Sequence, residues 1–199
     1  MTEEHYFTAD PSVPFTREPF ACEVWGHRLD LVSGTGVYSR GRLDVGTAVL
    51  LRETTPPTAG HVLDLGCGYG VIGLAMLVAS PGVTVTGVDV NERALLLARE
   101  NAERLGVTDR YVATTPAAAG DATYDEIWSN PPIRIGKQSL HELLLRWLPR
   151  LAPGGRAVLV VGKFLGADSL QRWLGEQGWP TTRLASSKGF RVLESRRTP

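Results

Sequence analysis

The stretch Asp64-Leu65-Gly66-Cys67-Gly68-Tyr69-Gly70 joins a short apolar run, His61–Leu65, to a longer one, Val71–Ala79. The lengths predict a buried strand followed by an apolar helix. Glycine at three alternate positions permits a sharp strand-to-helix turn and the close approach of a ligand to the backbone. Val83–Val88, rich in β-branched residues, predicts the next strand and ends in Asp89-Val90-Asn91, with Asp89 lying 19 residues beyond Gly70. In an open parallel sheet, ligands lie at the carboxyl ends of the strands. The glycines and Asp89 therefore share one place, and a carboxylate there accepts hydrogen bonds from both ribose hydroxyls of a nucleoside cofactor. NAD is the rival ligand. Its fingerprint is Gly-x-Gly-x-x-Gly facing a pyrophosphate, whereas this loop is Gly-x-Gly-x-Gly preceded by Asp64. An acid beside the loop repels a pyrophosphate and attracts an ammonium, so the loop favours S-adenosylmethionine. Asp64 also reads as a loop-capping carboxylate, a role compatible with ligand binding.

The same alternation of strand and helix runs outward from this loop. Glu92–Leu105 has helical spacing and is capped by Gly106. Arg110–Ala113 and Asp125–Trp128 predict short strands, Gln138–Leu148 a helix, Ala157–Val161 a β-branched strand, and Ala167–Glu176 a helix closed by Gly178. Thr182–Ala185 and Phe190–Leu193 predict a final antiparallel pair joined through Lys188-Gly189. Repeated βα units imply an α/β fold with a mostly parallel sheet and helices on both faces. Upstream, residues 1–20 carry Pro11, Pro14 and Pro19 and read as an extended arm. Cys22–Trp25 and Arg28–Val32 give a weak hairpin signal around Gly26-His27, and Asp44–Arg52 a short helix ended before Pro56-Pro57. The expected division is an arm with a possible β-hairpin over residues 1–35 and the catalytic domain over 36–199.

Composition sets the frame. The 199 residues suit one domain, and the 43% hydrophobic and 21% charged content is ordinary for a globular protein. No apolar run approaches the roughly 18 residues that span a bilayer, and the polar start, Met1–Asp10, is no signal peptide. Cys22 and Cys67 are the two cysteines, too few for a disulfide framework or a cysteine-rich zinc site. A cytoplasmic protein, a monomer without metal or membrane partner, is expected. Net charge is zero, with 21 basic and 21 acidic residues, but it is unevenly spread: residues 181–199 hold five basic residues against Glu194 alone. That basic tail reads either as a solvated surface or as an RNA-facing edge.

A second motif, Asn130-Pro131-Pro132-Ile133, follows the strand Asp125–Trp128. Two prolines after a strand end the ladder and fix the backbone. A plain rigid turn does not require Asn at its head. A planar amino group on a base or an amide is a poor nucleophile, because its lone pair is delocalised. The Asn130 side-chain oxygen and the Pro131 carbonyl can accept its two N–H protons and stabilise the positive charge that grows as nitrogen becomes tetrahedral. Placement in line with the sulfonium methyl supplies the rest. Ile133 offers apolar contact without aromatic stacking.

The chain resembles the small-domain class I methyltransferases, the group of the bacterial 16S ribosomal RNA guanine-N2 methyltransferases and their single-domain archaeal relatives. The resemblance covers roughly residues 30–199. It rests on Gly36-Val37-Tyr38-Ser39 with Leu43-Asp44-Val45-Gly46, on Val62–Gly70, on Asn130-Pro131-Pro132-Ile133-Arg134 with Gly136-Lys137, and on Lys188-Gly189-Phe190-Arg191-Val192-Leu193. It implies a seven-stranded Rossmann-like sheet. S-adenosylmethionine is then expected at Asp64, Gly66, Cys67, Gly68, Gly70, Asp89 and Val90, bordered by Asn130. The target amino group is expected at Asn130–Ile133, on guanine N2 in ribosomal RNA, with RNA or the small ribosomal subunit as partner. The larger relatives carry an extra N-terminal domain where this sequence shows a short arm. The stretch after the third strand, Ala113-Thr114-Thr115-Pro116, lacks the usual acid or amide for the adenine amino group, which leaves Thr115 or backbone atoms for that contact.

Arg134 and Lys137 follow the catalytic turn and read either as phosphate contacts or as a solvated loop. Arg40, Lys188 and Arg191 carry the same two readings. Asp44 reads as a residue of the site mouth or simply as a helix N-terminal acid, and Lys163 as a cleft residue or a solvated one. Cys67 reads as a small spacer, Trp128 and Trp147 as core, and no His/Asp/Glu cluster has metal-ligand spacing. Related tetrapeptides also serve adenine in DNA and glutamine in protein, although base-flipping adenine enzymes stack their base on an aromatic. A non-catalytic cofactor-bound RNA-binding module is the reading from another class.

Overall fold

A computed structural model describes residues 14–132 and 136–198. A hairpin, β1 (Arg17–Val24) and β2 (His27–Gly34), precedes α1 (Val45–Arg52). Then follow β3 (Ala59–Leu65), α2 (Val71–Ala79), β4 (Gly82–Val88), α3 (Glu92–Arg104), β5 (Tyr111–Thr114), β6 (Tyr124–Ser129), α4 (Lys137–Trp147), β7 (Leu151–Gly162), α5 (Ala167–Glu176), β8 (Thr181–Ser187) and β9 (Phe190–Arg196). The last seven strands form one sheet in the order β5-β4-β3-β6-β7-β9-β8. The first five of these pair in parallel, and β9 runs antiparallel to both β7 and β8. This is the seven-stranded Rossmann-like sheet that the family resemblance implies, with the mostly parallel order that the βα periodicity predicts and the expected terminal hairpin.

Side-chain alternation along the strands divides the interior into two layers. Val62, Trp128, Val158 and Val160 face a core shared with α1, α2, α3 and the N-terminal hairpin. Leu63, Ile127, Leu159 and Val161 face the core covered by α4 and α5. Because both faces are covered, the central strands read as continuous apolar runs.

The hairpin turn differs by one residue from the sequence expectation. Val24 pairs with His27, so the loop is Trp25-Gly26, and both residues have positive φ. That is the mirror-image turn whose twist matches paired strands. Trp25 tolerates it because its indole is engaged: its N–H donates to the Thr54 carbonyl at 2.8 Å, and its ring meets Trp128 edge-on. The strand also starts earlier than expected, at Arg17, within the stretch read as an extended arm. Asn101 of α3, fully buried, clips the hairpin down. Its amide accepts from Val32 N and donates to the carbonyls of Val32 and Tyr69.

Candidate active site

Strand order fixes where a ligand belongs. From β3 the chain winds outward to β4 and β5, then returns to β6 on the opposite side of β3. The carboxyl ends of β3 and β6 therefore flank the point of reversal, where open α/β sheets form their binding crevice. The glycine loop leaves β3 there and Asn130 leaves β6. The two are in contact: the buried Ser129 hydroxyl donates to the Leu65 carbonyl at 2.6 Å, and a Cβ on Gly66 would lie 4.0 Å from Pro132 Cδ.

The loop is held from beneath and left open above. The amides of Gly66 and Cys67 donate to the Val88 carbonyl, and the Gly68 amide donates to Asp89 Oδ2 at 2.8 Å. Asp89 Oδ1 accepts from the Asn91 amide at 2.9 Å. Each carboxylate oxygen keeps a further lone pair for a ligand. Burial raises the Asp89 pKa, while the Asn91, Gly68 and Val90 amides pull it down. A side chain at Gly70 would strike Tyr111 Oη, whereas one at Gly68 would meet nothing within 4 Å. Glycine at 68 thus leaves room for something other than this chain, and Val90, exposed, borders that space.

Asp64 lies below the loop rather than in the opening. It is fully buried; Oδ2 accepts from the Gly73 amide at 2.9 Å, and Oδ1 is enclosed without a partner. Burial pushes its pKa up to about 7, with the Gly73 amide opposing and the charge of Asp89 assisting. The folded pKa stands above the ordinary 3.8, so folding takes up a proton. The resulting stabilisation is complete below pH about 4 and is lost as pH rises toward about 7. Denaturant unfolding of the ligand-free protein across that window should show wild type losing stability relative to Asp64→Asn. Parallel curves would disprove the shift.

Asn130 is oriented by α1. Its Nδ2 donates to Asp44 Oδ2 at 2.8 Å and to Thr47 Oγ1 at 3.0 Å. A carboxylate can only accept, so the amide nitrogen must face Asp44, and the side-chain oxygen is turned away from it, with no hydrogen-bond partner among the described residues. Asp44 is itself immobilised, capping α1 through Thr47 N at 3.0 Å and accepting from the Tyr38 hydroxyl at 2.8 Å. The ring of Phe190 reaches the same place: Cε1 stands 2.9 Å, and Asn130 Nδ2 3.4 Å, from where a Cβ on Gly46 would be. The segment between β2 and α1 straps the two halves together. The Asn91 amide donates to the Gly36 carbonyl, and the Tyr69 hydroxyl to the Arg42 carbonyl.

The remaining expected residues are placed as follows. Pro131 is buried and Pro132 half-buried, while Ile133 and Arg134 lie outside the described residues. Lys137 opens α4, exposed. Cys67 is buried with its thiol pushed well above the usual range, chiefly by burial, which suits a spacer and not a nucleophile. Thr115 turns its hydroxyl onto its own loop, accepting from the Ala118 amide at 3.4 Å. Arg40 is paired with Glu18, and Arg191 with Asp168. Lys188 is exposed at the β8–β9 turn with positive φ. Thr47 and Phe190 were not assigned to the site from sequence. The helix-cap spacing from Asp44 points to Thr47, but nothing local points to Asn130 as its partner. No grouping of three or more His, Cys, Asp or Glu side chains suits a metal ion among the described residues, and no helix among them is long and apolar enough to cross a membrane.

Known proteins share this pattern. Residues 28–194 match the methyltransferase small domain family. The chain is 30% identical to the Bacillus subtilis (strain 168) protein YbxB over 98% of both. It is 34% identical to the ribosomal RNA small subunit methyltransferase C of Pseudomonas aeruginosa (strain LESB58) over 96% of this chain and 58% of that protein. The chain thus spans under two thirds of that methyltransferase. Among solved structures, the T. thermophilus 16S rRNA N2 methyltransferase in complex with AdoMet and guanosine superposes with a TM-score of 0.77 at 24% identity, over 94% of this chain and 52% of that one. A methyltransferase from Pyrococcus furiosus superposes with a TM-score of 0.66 at 20% identity, over 78% and 83%. At such identities these two likenesses speak for the fold alone.

Proposed function

The chain belongs to the methyltransferase small domain family, and on that premise we propose that it methylates an exocyclic amino nitrogen, guanine N2 of small-subunit ribosomal RNA, using S-adenosylmethionine. The observation that carries this reading is the contact between two loops. One, tied to Asp89 through the Gly68 amide, offers an open glycine backbone; the other presents Asn130 with its oxygen unpartnered among the described residues.

S-adenosylmethionine supplies an electrophilic methyl group on a sulfonium. Gly66 and Gly68 would let its body approach the backbone, Asp89 would accept from the ribose hydroxyls, and Asp64, buried beneath the loop, holds the start of α2 through the Gly73 amide. The open space at Gly68, bordered by the exposed Val90 and by Asp89, fits such a ligand. Asn130 Oδ1 and the Pro131 carbonyl accept the two amino protons, hold the nitrogen in line and stabilise its growing positive charge. Bound there, S-adenosylmethionine would supply the methyl group to the nitrogen lone pair, the C–S bonding pair leaving with sulfur, and the methylated nitrogen would shed its proton to water. No strong general base is required. Guanine and ribosomal RNA are favoured by the 34% identity to a ribosomal RNA small subunit methyltransferase over nearly the whole chain.

Incubation with methyl-labelled cofactor and, in parallel, small ribosomal subunits, naked ribosomal RNA, DNA and a release factor tests this reading. Label is expected in ribosomal RNA, and nucleoside mass mapping should place it on guanine N2. Label confined to DNA or protein would overturn it.

A further inference from the structure

Strand β7 lies directly beside β6, so its carboxyl end opens onto the same edge of the sheet as Asn130. Beyond Gly162 the chain makes one tight turn, Lys163–Leu165, tied by the Lys163 amide to the Gly189 carbonyl at 2.8 Å. Leu165 packs back onto Gly162. Phe164 is 90% exposed, more than any other large hydrophobic side chain among the described residues. The Lys163 ammonium stands 5.7 Å from its ring centre, and Lys188 is exposed in the hairpin turn that the Lys163 amide clasps. Neither lysine forms an ion pair among the described residues, while Asp168 on this side is occupied by Arg183 and Arg191.

A phenyl ring kept in water forgoes the burial that otherwise stabilises aromatics. One ammonium group at the ring and a second on the adjoining hairpin turn, neither in an ion pair among the described residues, match a ligand with both flat faces and a negative backbone, which is the chemistry of single-stranded nucleic acid. We infer that Phe164 is a stacking platform for an unpaired base next to the methylated nucleotide, with Lys163 and Lys188 holding the flanking phosphates. The inference rests on the RNA reading above and adds to it the class of substrate: the strand at the active site is open, not duplex.

Fluorescence anisotropy with an unstructured, fluorescein-labelled single-stranded RNA tests it. Phe164→Ala should weaken binding about tenfold, and Phe164→Trp should restore it. Lys163→Gln and Lys188→Asn should each flatten the dependence of log affinity on log salt by about 0.7; asparagine suits the positive φ at 188. Melting temperature and affinity for S-adenosylhomocysteine should stay at wild-type values, because the ring makes no core contact. Wild-type affinity in Phe164→Ala, or no RNA affinity in the wild type, overturns the platform. A wild type that binds RNA in a Phe164-dependent way but transfers no methyl to ribosomal RNA keeps the platform and sinks the methylation reading instead.

Discussion

Replacing Asn130 with alanine is expected to lower the rate of methyl transfer about a hundredfold to a thousandfold, the usual cost of removing one preorganised polar group from a developing charge. Affinity for the cofactor should change little if the proposed reading holds, since α1 engages the Asn130 amide and the oxygen is assigned to the acceptor substrate. The loss should therefore appear in single-turnover rates at saturating cofactor and RNA. Asp44→Ala gives a companion result with a different signature. It frees the Asn130 amide to rotate, leaving Asn130 present but unaimed, and it removes the cap of α1, worth about 1 kcal/mol of stability. Rate and melting temperature should then fall together, the rate by less than in Asn130→Ala. Full activity in Asn130→Ala, with RNA and cofactor still bound, would refute the acceptor role.

The second large effect is expected at Asp89. Its two oxygens organise the glycine loop and the start of α3 through the Gly68 and Asn91 amides, and their other lone pairs are the ones proposed to meet a ribose. Asp89→Ala removes both functions. Charge-assisted hydrogen bonds are worth about 1.5–3 kcal/mol each, so affinity for S-adenosylhomocysteine by calorimetry should drop about a hundredfold or more. Asp89→Asn keeps the shape and one acceptor and should lose less. Unchanged affinity in Asp89→Ala would place the nucleoside elsewhere and undo the assignment of the cofactor site.

Much of this architecture is written locally. The order of strands and helices from His61 onward follows from apolar periodicity and β-branched runs, and each is bounded by Gly, Pro or a capping residue within a few positions. The glycine loop and Asn130-Pro131-Pro132 are legible for the same reason: each is a short segment whose backbone demands particular residues. Misplacing the first hairpin turn by one residue shows the limit. Gly26 marks the bend, but the strand register, fixed by pairs such as Arg17 with Gly34, decides that Trp25 shares it.

The sequence by itself determined the alternating fold and marked the two loops, Asp64–Gly70 and Asn130–Pro132, from which the proposed site is built. Tertiary structure alone decided what those residues are free to do. Asp44 and Asn130, 86 residues apart, meet only because α1 packs beside the end of β6; that contact turns an ordinary helix cap into the group that aims the amide. Asp64 reads in the sequence either as a ligand carboxylate or as a loop cap, and the fold seals it beneath the loop, bonded to the Gly73 amide. The cations of the basic tail are indistinguishable along the chain, yet Arg191 is neutralised by Asp168 and Lys188 is not. Periodicity and turn chemistry act over a few residues, whereas burial and pairing depend on which surfaces packing brings together.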